Sequence, residues 1–373
     1  MKRFAYLICF FLLLNTAKAQ PENPWAGWGI DANYLMGKGF KHSAKMRAGF
    51  PYTIDAFELN LVTQTSGTKE WHQRRNYPLL GVGLAYTDYD RNTIYGHAIS
   101  IYPNIQLPIL RLKKFEWTMK LGFGFAYISK EYSRGPDWDT LNTAIGSHIN
   151  NYTCFATDLR YRFNGHLDIQ AGGDFAHISN AAFRQPNLGI NKFGAHIGLR
   201  YFPVTSRPKR IHSELPVLKN RILAQLRLGV AGNEQSAPNG PMYINRLATA
   251  YASYRYAGKN KLQLGVDYAY YKNVERFYLN NEIYPGKEKQ HSWRSAVFVG
   301  NEFLIGNVSI LLQAGYYIKH LTPADYVIYE KLGVNLYLVQ QEKGLVKEFF
   351  PYIYLKTHGT QAELVEVGLG VGL

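Results

Sequence analysis

Three observations predict an all-β chain folded as an antiparallel outer-membrane β-barrel of about sixteen strands. Apolar and polar residues alternate one by one along most of the sequence. The alternating stretches run about ten residues or more, the length a tilted strand needs to cross a bilayer. Of 373 residues, 34 are Gly, 29 Tyr and 20 Phe, a bias that suits strands with aromatic belts. A soluble sandwich would also alternate, but its strands are usually shorter and its charged face lies in water. With long strands the apolar face turns to lipid, and the charged face becomes a barrel interior where Glu, Lys, Asp and Arg can pair.

Taken in order, residues 1–19 read as a signal peptide. Lys2 and Arg3 precede an apolar run from Ile8 to Leu14, and Ala17 and Ala19 supply the small residues expected at a cleavage site. Cys9 lies inside the apolar run rather than at its end, which argues against a lipoprotein anchor. Cleavage would leave Cys154 alone and exclude an internal disulfide.

Strands are then expected to begin near Trp28, Ile54, Leu79, Tyr95, Phe115, Tyr152, Leu167 and Lys192. The fifth shows the pattern plainly: Phe115, Trp117, Met119, Leu121 and Phe123 alternate with Glu116, Thr118, Lys120 and Gly122. The eighth sets Phe193, Ala195, Ile197, Leu199 and Tyr201 against Lys192, His196 and Arg200. A stretch from Pro203 to Asn220 with three prolines reads as a linker. Further strands start near Ile222, Ile244, Lys261, Ser292, Val308, Leu332, Phe349 and Glu363, the last alternating Val365, Val367, Leu369 and Val371 with Glu366 and three glycines. The sequence divides into 1–19, 20–205 and 206–373. It leaves open one wide barrel or an eight-stranded barrel followed by a second β unit.

With the amino terminus in the periplasm, odd-numbered connections face outward and should be the longer ones. Most comply, the stretch from Thr65 to Tyr77 being the exception. The formal net charge of +15 admits nucleic acid, anionic lipid or glycan as partners, and export argues against nucleic acid. Arg207 to Arg210 reads as a solvated turn. The repeated Gly-x-Gly pieces, such as Gly81 to Gly83 and Gly122 to Gly124, lack the helix start of a nucleotide site and read as small lumen-facing positions. Eleven scattered histidines show no paired-ligand spacing, so no metal or other cofactor is expected. Asp158, Arg160, Asp168, Asp174 and Arg200 occupy the interior register and read as a structural salt network.

One stretch breaks the pattern. In the seventh strand Leu167, Ile169, Ala171, Gly173 and Phe175 hold the apolar register, and His177 and Ser179 end it. A histidine and a serine two apart on one strand share a face. Either they carry chemistry at the edge of an apolar surface, or they sit above the lipid band in a wet rim. Ser147 and His148, adjacent and therefore diverging, read as loop polar residues.

The motif around the pair is His177-Ile178-Ser179-Asn180-Ala181, followed by Pro186-Asn187-Leu188-Gly189-Ile190-Asn191. It resembles the lipid A 3-O-deacylase (PagL), or acyloxyacyl hydrolase, family of outer-membrane β-barrels, whose signature is His-x-Ser-Asn-Ala and then Pro-Asn-x-Gly-Ile-Glu. The resemblance covers roughly Trp25 to Phe202 and implies an outer-membrane serine esterase that hydrolyses the acyl ester at the lipid A 3 position, with lipopolysaccharide as substrate. It implies Ser179 as nucleophile, His177 as base, and oxyanion donors at Asn187 and the Ala182 amide, with Asn180 in support. Two departures stand out: Asn191 replaces the family glutamate that orients the histidine, and Ala182 replaces a glycine. An Asn oxygen can fix the histidine tautomer but brings no negative charge. The alternative is an inert outer-membrane barrel, a pore or scaffold, that retains the motif. Oligomeric state, homo-oligomers included, is left open.

Overall fold

A computed structural model describes residues 23–41, 45–49, 53–90, 93–135, 139–216, 221–234, 238–319, 326–359 and 361–373. The expected signal peptide, 1–19, lies outside the described residues.

Eight strands close the first barrel: β1 (Trp28–Gly39), β2 (Ile54–Gln64), β3 (Leu79–Asp88), β4 (His97–Arg111), β5 (Phe115–Ile128), β6 (Ile149–Arg162), β7 (Leu167–Ser179) and β8 (Ile190–Tyr201). Each pairs antiparallel with the next, and β8 returns to β1 with Ile30 opposite Tyr201. A second ring follows. It runs through β9 (Arg221–Glu234), β10 (Met242–Tyr256), β11 (Asn260–Tyr270), β12 (Trp293–Ile305), β13 (Val308–Lys319) and β14 (Ile328–Leu336). After the two-residue β15 (Val339–Gln340), it continues through β16 (Glu348–His358) and β17 (Gln361–Gly372). Pairing of β14 with β16 and of β17 with β9 closes it. The chain is therefore two barrels in tandem and not one wide one.

Sixteen of these strands fall within a few residues of the expected starts; the short β15 was not anticipated. Their apolar register faces out, as Ile30, Phe57, Leu59, Val82 and Ile197 show in the first barrel and Leu228, Leu264, Val299 and Leu369 in the second. The charged register faces in. Arg200 pairs with Asp31, Lys120 with Glu58 at 2.8 Å, and Arg160 with Glu116 at 3.0 Å. Eight strands leave an interior that side chains can fill. Where the rings are large, glycines make room: Tyr102 lies against the positions a Cβ would take at Gly83, Gly122 and Gly124.

The two barrels touch at both rims. At the rim bearing the chain termini, the long Thr65–Tyr77 connection forms a short helix, Glu70–Arg74, and Arg75 donates to the carbonyls of Lys259 and Leu304 at turns of the second barrel. Arg207 does not behave as the solvated turn expected of it. Its guanidinium lies over Phe202, 3.1 Å from the ring centroid, because the linker folds back under the first barrel.

Candidate active site

The outward register of β7 carries Phe175, half-buried, and then His177 and Ser179 at the end of the strand. In the antiparallel ladder His177 stands directly opposite Asn191 of β8. Opposed residues on one face bring their side chains together. The His177 Nδ1 lies 2.6 Å from Asn191 Oδ1, and His177 Nε2 lies 2.8 Å from Ser179 Oγ. An amide oxygen can only accept, so the proton sits on Nδ1 and leaves Nε2 to accept from the serine hydroxyl. Ser179 and Asn191 are buried and His177 is half-buried.

Below this trio the same face is aromatic. Phe175 has Phe40, Phe155 and Phe193 around it at centroid distances of 6.3 to 6.4 Å, and Phe193 is well exposed. Polar groups at the rim therefore adjoin a greasy surface that looks outward and not into the lumen.

The connection from β7 to β8 turns tightly above the serine. Phe183 N donates to Asn180 O and Arg184 N to Asn180 Oδ1, while Asn180 Nδ2 donates to Ser147 Oγ at 2.8 Å. Asn180 N donates to Asn187 Oδ1 at 2.9 Å. That leaves the other half of the Asn187 amide, Nδ2, buried without a hydrogen-bond partner among the described residues. A buried donor left unpaired costs about 1–3 kcal/mol, so the loop holds it open against its own interest. The Ala182 amide likewise has no acceptor among the described residues. Ala181 and Ala182 adopt φ of 52° and 61°, a left-handed conformation that costs a non-glycine residue roughly 1–2 kcal/mol. Gly189 is needed where it stands. Its φ is +75°, and a Cβ there would lie 2.8 Å from His177 Cε1.

The candidate site residues His177, Ser179, Asn180, Ala182, Asn187 and Asn191 thus fall within one loop and two adjacent strand ends. The sequence did not point to Ser147, which reads there as a loop polar residue and holds Asn180 from the neighbouring connection that leads into β6. Nor did it point to the second barrel's share in this loop, since nothing periodic marks a contact between distant segments.

Residues 55–200 match the model of the lipid A 3-O-deacylase (PagL) family, and residues 221–373 match that of the acyloxyacyl hydrolase C-terminal domain. No curated protein matches the chain in sequence. Among solved structures, the outer membrane enzyme PagL is 16% identical over 47% of this chain and 99% of its own, with a TM-score of 0.34. Neisserial surface protein A is 11% identical over 48% and 97%, at 0.29, and a mutant porin of Rh. blastica 11% identical over 93% and 99%, at 0.20. Likenesses this distant say nothing of chemistry. The two family matches follow one another along the two barrels, and the chain belongs to the lipid A 3-O-deacylase (PagL) and acyloxyacyl hydrolase family of outer-membrane β-barrels.

Proposed function

We propose that the chain is an exported serine esterase of the outer membrane that removes an ester-linked acyl chain from lipid A at the 3 position. The observation that carries this reading is the continuous hydrogen-bonded series Ser179–His177–Asn191, set beside the unpartnered Asn187 Nδ2. Ser179 Oγ attacks the ester carbonyl carbon while His177 Nε2 takes its proton. Negative charge then develops on the carbonyl oxygen, and Asn187 Nδ2 and the Ala182 amide donate to it. Collapse expels the sugar hydroxyl, protonated by His177, and leaves the acyl chain on Ser179. Water, deprotonated in turn by His177, releases the fatty acid and restores the serine. The substrate arrives sideways from the bilayer, its chain along the Phe40, Phe155, Phe175 and Phe193 surface. Residues in these roles need no metal or organic cofactor.

Asn191 is the weak member of the set. It holds the ring and selects the tautomer, but a neutral amide does little to stabilise the imidazolium. That single substitution also favours a second reading, an inert barrel that keeps the motif. The two part on one assay, in which purified full-length protein and its Ser179→Ala variant are incubated with lipid A in vesicles and released fatty acid is followed. The esterase reading expects the variant to lose activity on the order of 10⁴-fold. Equal release from both proteins would remove Ser179 from the mechanism.

A further inference from the structure

We infer that the second barrel completes the active site of the first, with Glu234 and Asn233 as positioning residues that hold the Ala181–Gln185 turn in its oxyanion-donating shape. This rests on the reading of Ser179 as the nucleophile.

Glu234 is the last residue of β9, and its side chain is fully buried. A buried carboxylate is costly unless its oxygens are satisfied. Among the described residues its own barrel satisfies neither. Glu234 Oε2 accepts from Gln185 N at 2.6 Å and Oε1 from Arg184 Nη1 at 3.1 Å, both in the turn that follows Ser179. The charge is spent on the other barrel's loop.

Asn233 acts beside it. Its Nδ2 donates to Ala182 O at 3.3 Å and to Glu363 O at 2.9 Å, and its Oδ1 accepts from Asn245 Nδ2 at 2.7 Å. Asn233 is thus fixed from within the second barrel before it reaches the loop. Apolar contacts complete the seat. Ala181 packs with Leu355 and Ala362, and the Phe183 ring lies close enough to Gly232 that a Cβ there would be 3.3 Å away.

These contacts fall on the residues whose backbone is hardest to keep in place. Ala181 and Ala182 are left-handed without being glycine, and the first barrel reaches the turn through Asn180. Securing the Ala182 carbonyl and the Gln185 amide fixes the peptide planes that follow Ala182, while Ala181 is seated against Leu355 and Ala362 on the side before it. The Ala181–Ala182 peptide that carries the Ala182 N–H is thus held from both sides and aimed without reorganisation when charge develops on the substrate. Ordinary adhesion between two barrels would not need to bury a carboxylate on that one turn.

The test uses full-length protein in lipid A vesicles, with Glu234→Ala, Glu234→Gln and Asn233→Ala. Folding is followed by thermal unfolding, and kcat and KM are measured separately. Misaiming an oxyanion donor should lower kcat in Glu234→Ala by roughly ten- to a hundredfold with KM within about twofold. Glu234→Gln, whose oxygen still accepts from Gln185 N, should recover much of this. Ala182→Gly added to Glu234→Ala should restore part of kcat, because glycine takes the positive φ unaided. Wild-type kcat in Glu234→Ala, with Ser179→Ala inactive, overturns the inference and leaves the esterase reading intact. So does a loss of kcat that merely tracks the folded fraction and that neither Gln nor Ala182→Gly rescues. If wild type and Ser179→Ala prove equally inert, the esterase reading is what fails. Backbone amide exchange over Ala181–Gln185 then reads the seat directly, and unchanged protection in Glu234→Ala overturns it.

Discussion

The two barrels share a plan and differ in where they spend their polar residues. In the second, polarity goes inward. Arg227 is fully buried among Tyr251, Tyr354, Phe298 and Tyr352 with centroid distances from 4.6 to 6.0 Å, and Lys261 meets Glu348 at 2.7 Å. Its histidine near the long-loop rim, His358, faces inside and meets Tyr317 Oη at 3.0 Å. In the first barrel the interior is braced in the same manner, yet at the end of β7 polar side chains also take the lipid-facing register. What separates a scaffold from a candidate enzyme on this architecture is a break of two residues in the outward pattern, backed by a loop that keeps donors unpaired.

Four perturbations sharpen or break that contrast. The largest effect on chemistry is expected from Asn187→Ala, which removes one oxyanion donor and should lower kcat by about 10²–10³; steady-state kinetics on lipid A would show the division of labour to be wrong if kcat held. Next, Arg227→Ala leaves Asp267 and Glu366 short of a compensating charge. It should cost the second barrel about 3 kcal/mol of unfolding free energy, measured by denaturant titration, while activity per folded molecule stays within about twofold. A fall in kcat without a fall in stability would mean that the interior of the second barrel does more than brace.

Smaller again is Asn191→Glu. A carboxylate opposite His177 should raise kcat on the order of tenfold by stabilising the imidazolium, and an unchanged rate would place the limiting step elsewhere. The smallest effect concerns the rim where Arg75 meets the second barrel. Burial, followed by nearby Lys69, pushes His72 down to about 4, and its Nδ1 accepts from Gly67 N at 3.3 Å. A folded value below the unfolded 6.5 means that stability is complete above pH 6.5 and declines as pH falls from there toward 4. The side chain is buried in the short rim helix, and the loss should be on the order of 1 kcal/mol. Thermal unfolding between pH 7 and 4.5, with His72→Gln as a flat reference, checks it.

Much of the fold could be read from residues alone because a one-residue slip would turn every side chain to the wrong face. Phe115 to Tyr127 admits one register, and the structure adopts it. Closure was not legible. Whether Tyr201 on β8 meets β1 or the strand after the linker depends on contacts between distant segments, and both arrangements produce the same alternation. The motif sets His177, Ser179, Asn187 and Asn191 within fifteen residues of one another, and the pairing of β7 with β8 on either side of the loop makes them neighbours in space. Asn233 and Glu234 stayed hidden for the opposite reason: they end an ordinary strand, and their partners, Ala182, Arg184 and Gln185, lie across a gap that no local pattern spans.

Behind the outward trio, on the inner face of the barrel wall, Lys192 of β8 meets Asp174 of β7 at 2.6 Å and His196 of β8 meets Asp158 of β6 at 2.9 Å. The first tie spans β7 and β8, and the second reaches past β7 to β6, so together they act as struts across three neighbouring strands. A wall stiffened from within should keep its spacing when the surrounding bilayer thickens on cooling or thins on warming. Turnover would then follow lipid fluidity only through the arrival of substrate, and an Arrhenius plot taken through the lipid melting transition should show the break in KM rather than in kcat.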